Sequence, residues 1–250
     1  MAGMSAVISS PVTAVDTNGA TVRVDMCHFS PVEAEQITGV PGDHIRKWRN
    51  RGYLTGKAST ARTSWELFGL AELMVLGMLS ERVGPLLARP IATICANGVA
   101  WHALAVADAY EGDHVAVYSW EPQKFAAINE NIALATDFVR RFQAGTLNEA
   151  DKAFRPRRPG WEDQADFLRH NIFHSKGIAG VPQRFFVWLA DGSHTWCSSL
   201  DTLFGQSGQE FDPRFQGSVL VLDLESLGHL IGTNAGRAFV SVEITHDDHS

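Results

Sequence analysis

Cysteine is scarce in this 250-residue chain, and its three copies, Cys27, Cys95 and Cys197, stand far apart. That spacing supports neither a disulfide framework nor a thiolate metal cluster, and it suits a reducing compartment. Long apolar runs are missing too. No stretch approaches the roughly eighteen apolar residues that a membrane-spanning helix needs, and no charged-then-apolar leader opens the chain, so a cytoplasmic protein without membrane contact is expected. The motifs of common catalysts are also lacking, with no phosphate-cradling glycine loop and no nucleophile elbow. His170 and His174 lie four apart and could share a helix face, but the glutamate of a zinc-protease helix and a third ligand are missing. The expectation is a binding protein rather than an enzyme, with neither metal nor cofactor.

Acid is absent from one further place, and that absence is informative. Between Arg46 and Arg62 the chain carries Arg46, Lys47, Arg49, Arg51, Lys57 and Arg62 and no aspartate or glutamate. A compact segment of one sign attracts phosphates. The net charge of -7 argues against a nucleic-acid binder only until it is divided: residues 1 to 84 hold eight basic and eight acidic groups, and the remainder thirteen and twenty. The excess acid belongs to the second part, so any attraction for DNA is local.

The residues just before and within the basic segment predict two short helices. Ser30, Pro31 and Glu33 form an N-cap, a first-turn proline and a capping-box acid, and Ala34 and Ile37 share one face of the helix they start. Gly39-Val40-Pro41-Gly42-Asp43 breaks it. Asp43 is expected to cap a second helix over 43–51, with Ile45 and Trp48 inward and the charged side chains on the solvent side.

This pattern resembles the winged-helix domain of the MerR (mercury-resistance regulator) family. The matching residues are Phe29-Ser30, Gly39-Val40-Pro41, Ile45-Arg46-Lys47-Trp48 and Gly52-Tyr53-Leu54, followed by Thr55–Ser64 in the place of a basic wing and by Trp65 and Phe68 in the place of the aromatics that pin it. Lys47 stands at the first of the family's two aromatic positions. The resemblance covers about residues 28 to 80. It implies double-stranded DNA as partner, a recognition helix in the major groove, Arg46 as the principal contact with His44, Lys47, Arg49 and Arg51 around it, and Lys57 and Arg62 on neighbouring phosphates. It also implies a homodimer, although Gly84-Pro85 interrupts the apolar run where the family has a long dimerisation helix.

The rest of the chain reads as mixed. The first 27 residues show little periodicity beyond Ala20–Val24 and are expected to form a flexible arm. Helical spacing runs through 91–95, 101–106 and 125–142, and His114–Tyr118 alternates like a strand. Residues 151–163 read as a surface connection. Ala190-Asp191-Gly192-Ser193 between two aromatic-rich runs signals a hairpin, and 218–222 and 238–244 read as strands around a helix at 224–231. Trp188, Trp196, Phe185, Phe186, Phe204 and Phe211 are expected to form an ordinary sheet core, with an apolar pocket for a small-molecule effector as the alternative.

The fold class expected is therefore α+β: a winged helix-turn-helix domain at 28–84, followed by a larger mixed α+β domain at 85–250 for dimerisation, effector sensing or partner contact. The function expected is transcriptional regulation through sequence-specific DNA binding, as a repressor. Two alternatives remain open at this stage. One is a phage or mobile-element repressor or recombination directionality factor. The other is an enzyme or toxin-like module with an autoregulatory DNA-binding domain.

Overall fold

A computed structural model of the chain describes residues 13–17, 20–54, 64–105, 107–112, 161–178, 182–204 and 212–246. These residues form a mixed α+β structure of helices with a four-stranded and a three-stranded sheet. They fall into two compact units, one holding 26–54, 64–105, 107–109, 182–204 and 212–240, the other 13–17, 20–25, 110–112, 161–178 and 241–246.

In the first unit, helix α1 (Pro31–Thr38) begins as its sequence dictates. Ser30 Oγ accepts a hydrogen bond from the Glu33 amide at 3.3 Å, and the Glu33 carboxylate accepts one from the Ser30 amide at 2.6 Å. Hydrogen bonds to the carboxylate, first from the Ser30 amide and then from the Ser30 side chain, with help from the Arg237 charge, hold the Glu33 carboxyl below the usual glutamate value. Gly39 ends the helix at φ 70°, where its amide returns to the Glu35 carbonyl. A side chain would strain that left-handed conformation. Ser30→Ala is expected to lower stability by about 1 kcal/mol in urea denaturation near neutral pH. Because the folded pKa of Glu33 is depressed, its contribution is full above the ordinary glutamate pKa and is lost as pH falls through the lowered value. The gap between wild type and variant should therefore narrow on acidification.

Helix α2 (Gly42–Asn50) starts one residue earlier than the sequence suggested, and Asp43 is not its cap. Pro41 holds the N-cap position with no side-chain hydrogen bond, and Asp43 already lies within the first turn. A capping side chain must come from the extended residue just before the helix. Entry at Gly42 puts Asp43 past that point, and its carboxylate turns to Arg46 instead.

Helix α3 (Leu67–Val83) is apolar on every side and is correspondingly buried, with Leu67, Leu70, Ala71, Leu73, Val75 and Leu76 wholly inaccessible to solvent. Gly84 and Pro85 end it and begin helix α4 (Pro85–Ala103), the break their sequence predicts. The contact between α3 and α4 is the most extensive between helices. Inside it Thr93 Oγ1 donates to the buried Glu72 carboxylate at 3.0 Å.

Farther along the chain, strand β4 (Phe185–Trp188) lies between β5 (His194–Cys197) and β6 (Leu220–Asp223), antiparallel to both. The predicted hairpin is present: Asp191 Oδ1 accepts from the Ser193 amide at 2.9 Å and closes the turn. Phe186 is fully buried, with Trp196 edge-on at 5.1 Å, and Val187, Leu189 and Cys197 form a core with Phe185 and Phe215 against it. Phe185, Phe186 and Trp196 thus belong to the packing of the sheet; Phe211 and the side chain of Phe204 lie outside what is described. Strand β6 runs directly into helix α7 (Leu224–Ala235), whose cap, Asp223, accepts from the Ser226 amide and is itself gripped by both Nε and Nη2 of Arg184. The short helix α6 (Leu200–Phe204) precedes that step.

Helix α7 packs on α4 and on α1. Gly228 makes the first contact possible, since a Cβ there would sit 2.6 Å from the Ala103 nitrogen and 2.8 Å from the Val99 oxygen. With no side chain, the two backbones meet directly. This unit thus takes in residues from both sides of the Gly84–Pro85 step.

The second unit holds β1 (Thr13–Thr17), most of β2 (Ala20–Met26) and β7 (Val240–His246), β3 (Tyr110–Gly112) and helix α5 (Trp161–Ser175). Its sheet order is β1-β2-β7-β3. The expected flexible arm is corrected here, because 13–17 pair antiparallel with 20–24 and β2 continues onto β7. The partner strand comes from the far end of the sequence, so local periodicity carries no trace of it. Residues 161–163, expected in a surface connection, instead open α5, which buries Leu168, Ile172 and Phe173 on one face. The expected strand at 114–118 and helix at 125–142 lie outside the described residues.

Candidate nucleic-acid interface

The side chains of α2 divide sharply. Ile45 and Trp48 are 4% and 6% exposed and anchor the helix, while His44, Arg46, Lys47, Asn50 and Arg51 are exposed on its other sides. At 100° per residue the spacing 43, 46, 47, 50 makes one outward stripe, and α2 offers it as two cations, an acid and an amide. Asn50 was missed in the sequence because attention to charge passes over a neutral amide, although its register with Arg46 was readable.

The cations are not equivalent. Arg46 Nη2 meets Asp43 Oδ1 at 2.6 Å, with both side chains about 70% exposed (71% and 68%). Arg49, also expected among the DNA contacts, is half-buried, with its guanidinium carbon 4.6 Å above the Trp65 ring. Burial pulls its pKa below the ordinary arginine value, and it stays cationic. Its contact with the indole is part of the packing beneath α2. His44 is exposed, but its ring lies 5.6 Å from that of Trp48.

What holds the two helices in place is a backbone bridge and a clamp. Phe29 and Trp65 exchange hydrogen bonds, amide to carbonyl in each direction, at 2.8 and 2.7 Å. That bridge brings together the segment before α1 and the segment before α3. Lys57 and Arg62, the two expected wing contacts, lie outside the described residues. From the other side, Asn234 Nδ2 donates to the Ile37 carbonyl at 2.9 Å, and Arg237 Nη2 donates to the His28 carbonyl at 2.6 Å and to Glu33 at 3.1 Å. The Arg237 guanidinium also covers the Phe29 ring at 4.1 Å. These partners lie about two hundred residues apart, with the Asn234–Ile37 separation at 197. No spacing rule reaches that far.

Beside the stripe, α1 and α2 border an open concavity of about 1100 Å³, lined by Pro31, Glu35, Asp43, Arg46, Arg49 and Asn50. Two carboxylates among two guanidiniums make it mixed in charge, unlike a simple anion sink. Elsewhere, His170 and His174 are both exposed on α5, and no group of three metal-ligating side chains forms among the described residues. Cys95 is fully buried, and burial pushes its thiol well above the ordinary value, which makes it a packing residue rather than a reactive thiolate. No helix among the described residues is long and apolar enough to cross a membrane.

No family model, curated protein or solved structure matches the chain.

Proposed function

We propose that this chain is a sequence-specific DNA-binding transcriptional regulator, a repressor, that reads the major groove with α2. One observation carries the reading: α2 is anchored by Ile45 and Trp48 while Arg46, Lys47, Asn50 and Arg51 stand exposed around it. A helix held on one side and polar on the other fits the width of a major groove, and these residue types match base edges and phosphates. The resemblance of 28–80 to the MerR winged helix adds support. Under it Lys57 and Arg62 belong to a wing on neighbouring phosphates, and the protein binds two half-sites as a homodimer. The acidic balance outside this segment restricts phosphate attraction to the one face.

Affinity selection of genomic DNA fragments by the purified protein, at two salt concentrations, tests the reading. An enriched motif that persists at the higher salt supports it, and its symmetry reports the dimer geometry. Binding without enrichment, lost with salt, leaves only phosphate attraction and overturns it. Arg46→Ala should weaken binding to the selected site by roughly 1–3 kcal/mol in a titration of labelled duplex, with little change on random DNA. Equal affinity of wild type and variant for the selected site removes α2 as the reader.

A further inference from the structure

The ion pair on the outward stripe of α2 is the feature that the proposed reading does not use. Asp43 Oδ1 and Arg46 Nη2 lie 2.6 Å apart, three residues along the helix, with each side chain more than two-thirds exposed. A pair so exposed adds little to folding, because solvent screens it and both side chains lose rotamer freedom to form it. Its effect is geometric. It restrains in one direction a guanidinium that would otherwise rotate about the four torsions of its stem.

We infer that Asp43 is a positioning residue for base recognition: it orients the Arg46 guanidinium so that its free edge meets a guanine. The inference rests on the DNA-binding reading above. Five N–H donors sit on a guanidinium, and one is committed to Asp43, which leaves four and an intact two-donor edge for guanine O6 and N7. The pairing also lowers the entropy lost when that edge engages, since the rotamer is already chosen. Asp43 carries a second consequence. Its charge faces the same side as Arg46, Lys47 and Asn50, so it repels phosphates there and weakens binding to DNA that offers no guanine at the right place. One carboxylate thus favours the correct site and disfavours the rest.

The test compares Asp43→Ala, Asp43→Asn and Arg46→Ala with wild type on the selected duplex, on a set with each base pair replaced in turn, and on random DNA. A positioning role predicts that Asp43→Ala loses about fivefold or more of the preference for guanine at one base pair, the same one at which Arg46→Ala loses its preference. Asp43→Asn, which keeps an oxygen acceptor for Arg46, should retain part of that preference. Both Asp43 variants should bind random DNA more tightly than wild type at low salt. Undiminished guanine preference in Asp43→Ala overturns the inference. So does an equal loss in the Ala and Asn variants, which assigns the effect to charge alone. Absence of any enriched motif with the wild-type protein is a different failure, that of the DNA-reading function itself.

Discussion

A polypeptide that stops at Gly84 should show no cooperative thermal transition and no dispersed amide spectrum, even though it contains every residue of the expected DNA-binding domain. The reason lies in α3. Leu67, Leu70, Leu73, Met74, Val75, Leu76 and Leu79 are all at most 2% exposed, and they cover the whole circumference of the helix. Helices α1 and α2 are short and contact only part of it, while α4 makes its most extensive contact and α7 closes over α1 and α4. Cutting at Gly84 leaves much of α3 in water. Each large apolar side chain returned to solvent costs about 1.5–3 kcal/mol, and a few of them equal the roughly 5–15 kcal/mol of a whole domain's stability. The fragment from 26 is only about sixty residues long, a size at which a core is already marginal. Circular dichroism and a proton–nitrogen correlation spectrum decide the matter. Cooperative melting of the fragment near the temperature of the full chain means that α1–α3 close their own core and that α4 and α7 are accessories.

The same contrast shows which parts of the fold were readable from the sequence. Features set by neighbours were legible: the Ser30–Glu33 capping box, the helix stop at Gly39, the inward pair Ile45 and Trp48, the break at Gly84–Pro85, and the hairpin at Asp191–Ser193. Each depends on residues within four positions of one another, where steric and hydrogen-bonding rules hold regardless of the rest. What depends on distant partners was not legible. Residues 20–24 showed a short alternation, but 13–17 showed none, and both are strands in a sheet whose next member, β7, comes from the far end of the sequence. The clamp of Asn234 and Arg237 on α1 places a late segment against an early one, where composition had suggested separate domains.

The candidate site divides in the same way. His44, Arg46, Lys47 and Arg49 lie on α2 as expected, with His44, Arg46 and Lys47 exposed, but the partners of the charges were not foreseen. Arg49 covers Trp65, because a half-buried cation on a helix flank gains more from an indole face than from open solvent. Asp43 was assigned to the helix cap, and a shift of one residue in the start of α2 gave it to Arg46. A single position in the helix boundary therefore changes which residue counts as structural and which as functional, and boundaries are where local rules are weakest.

Phe29→Ala should cost about 3–5 kcal/mol in urea or guanidinium unfolding and abolish DNA binding at temperatures where the wild type still binds. Phe29 is 1% exposed, its ring is 5.6 Å from that of Phe239, and Arg237 lies over its face at 4.1 Å. Removing the ring opens a cavity among side chains that cannot all collapse into it, because Phe239 and Trp65 are each fixed by backbone hydrogen bonds. The ring also belongs to the residue that makes the two-way backbone bridge between the segments before α1 and α3, so loosening it frees Trp65 and, through Trp65, the Arg49 side of α2. Arg237→Met separates the contributions. It removes the cation over the ring and the hydrogen bonds to His28 and Glu33, and it leaves an apolar stem to cover Phe29. That variant should lose much less stability than Phe29→Ala and keep its DNA affinity. A Phe29→Ala loss below about 1.5 kcal/mol means that the ring fills no closed core and that the bridge to Trp65 alone positions α2.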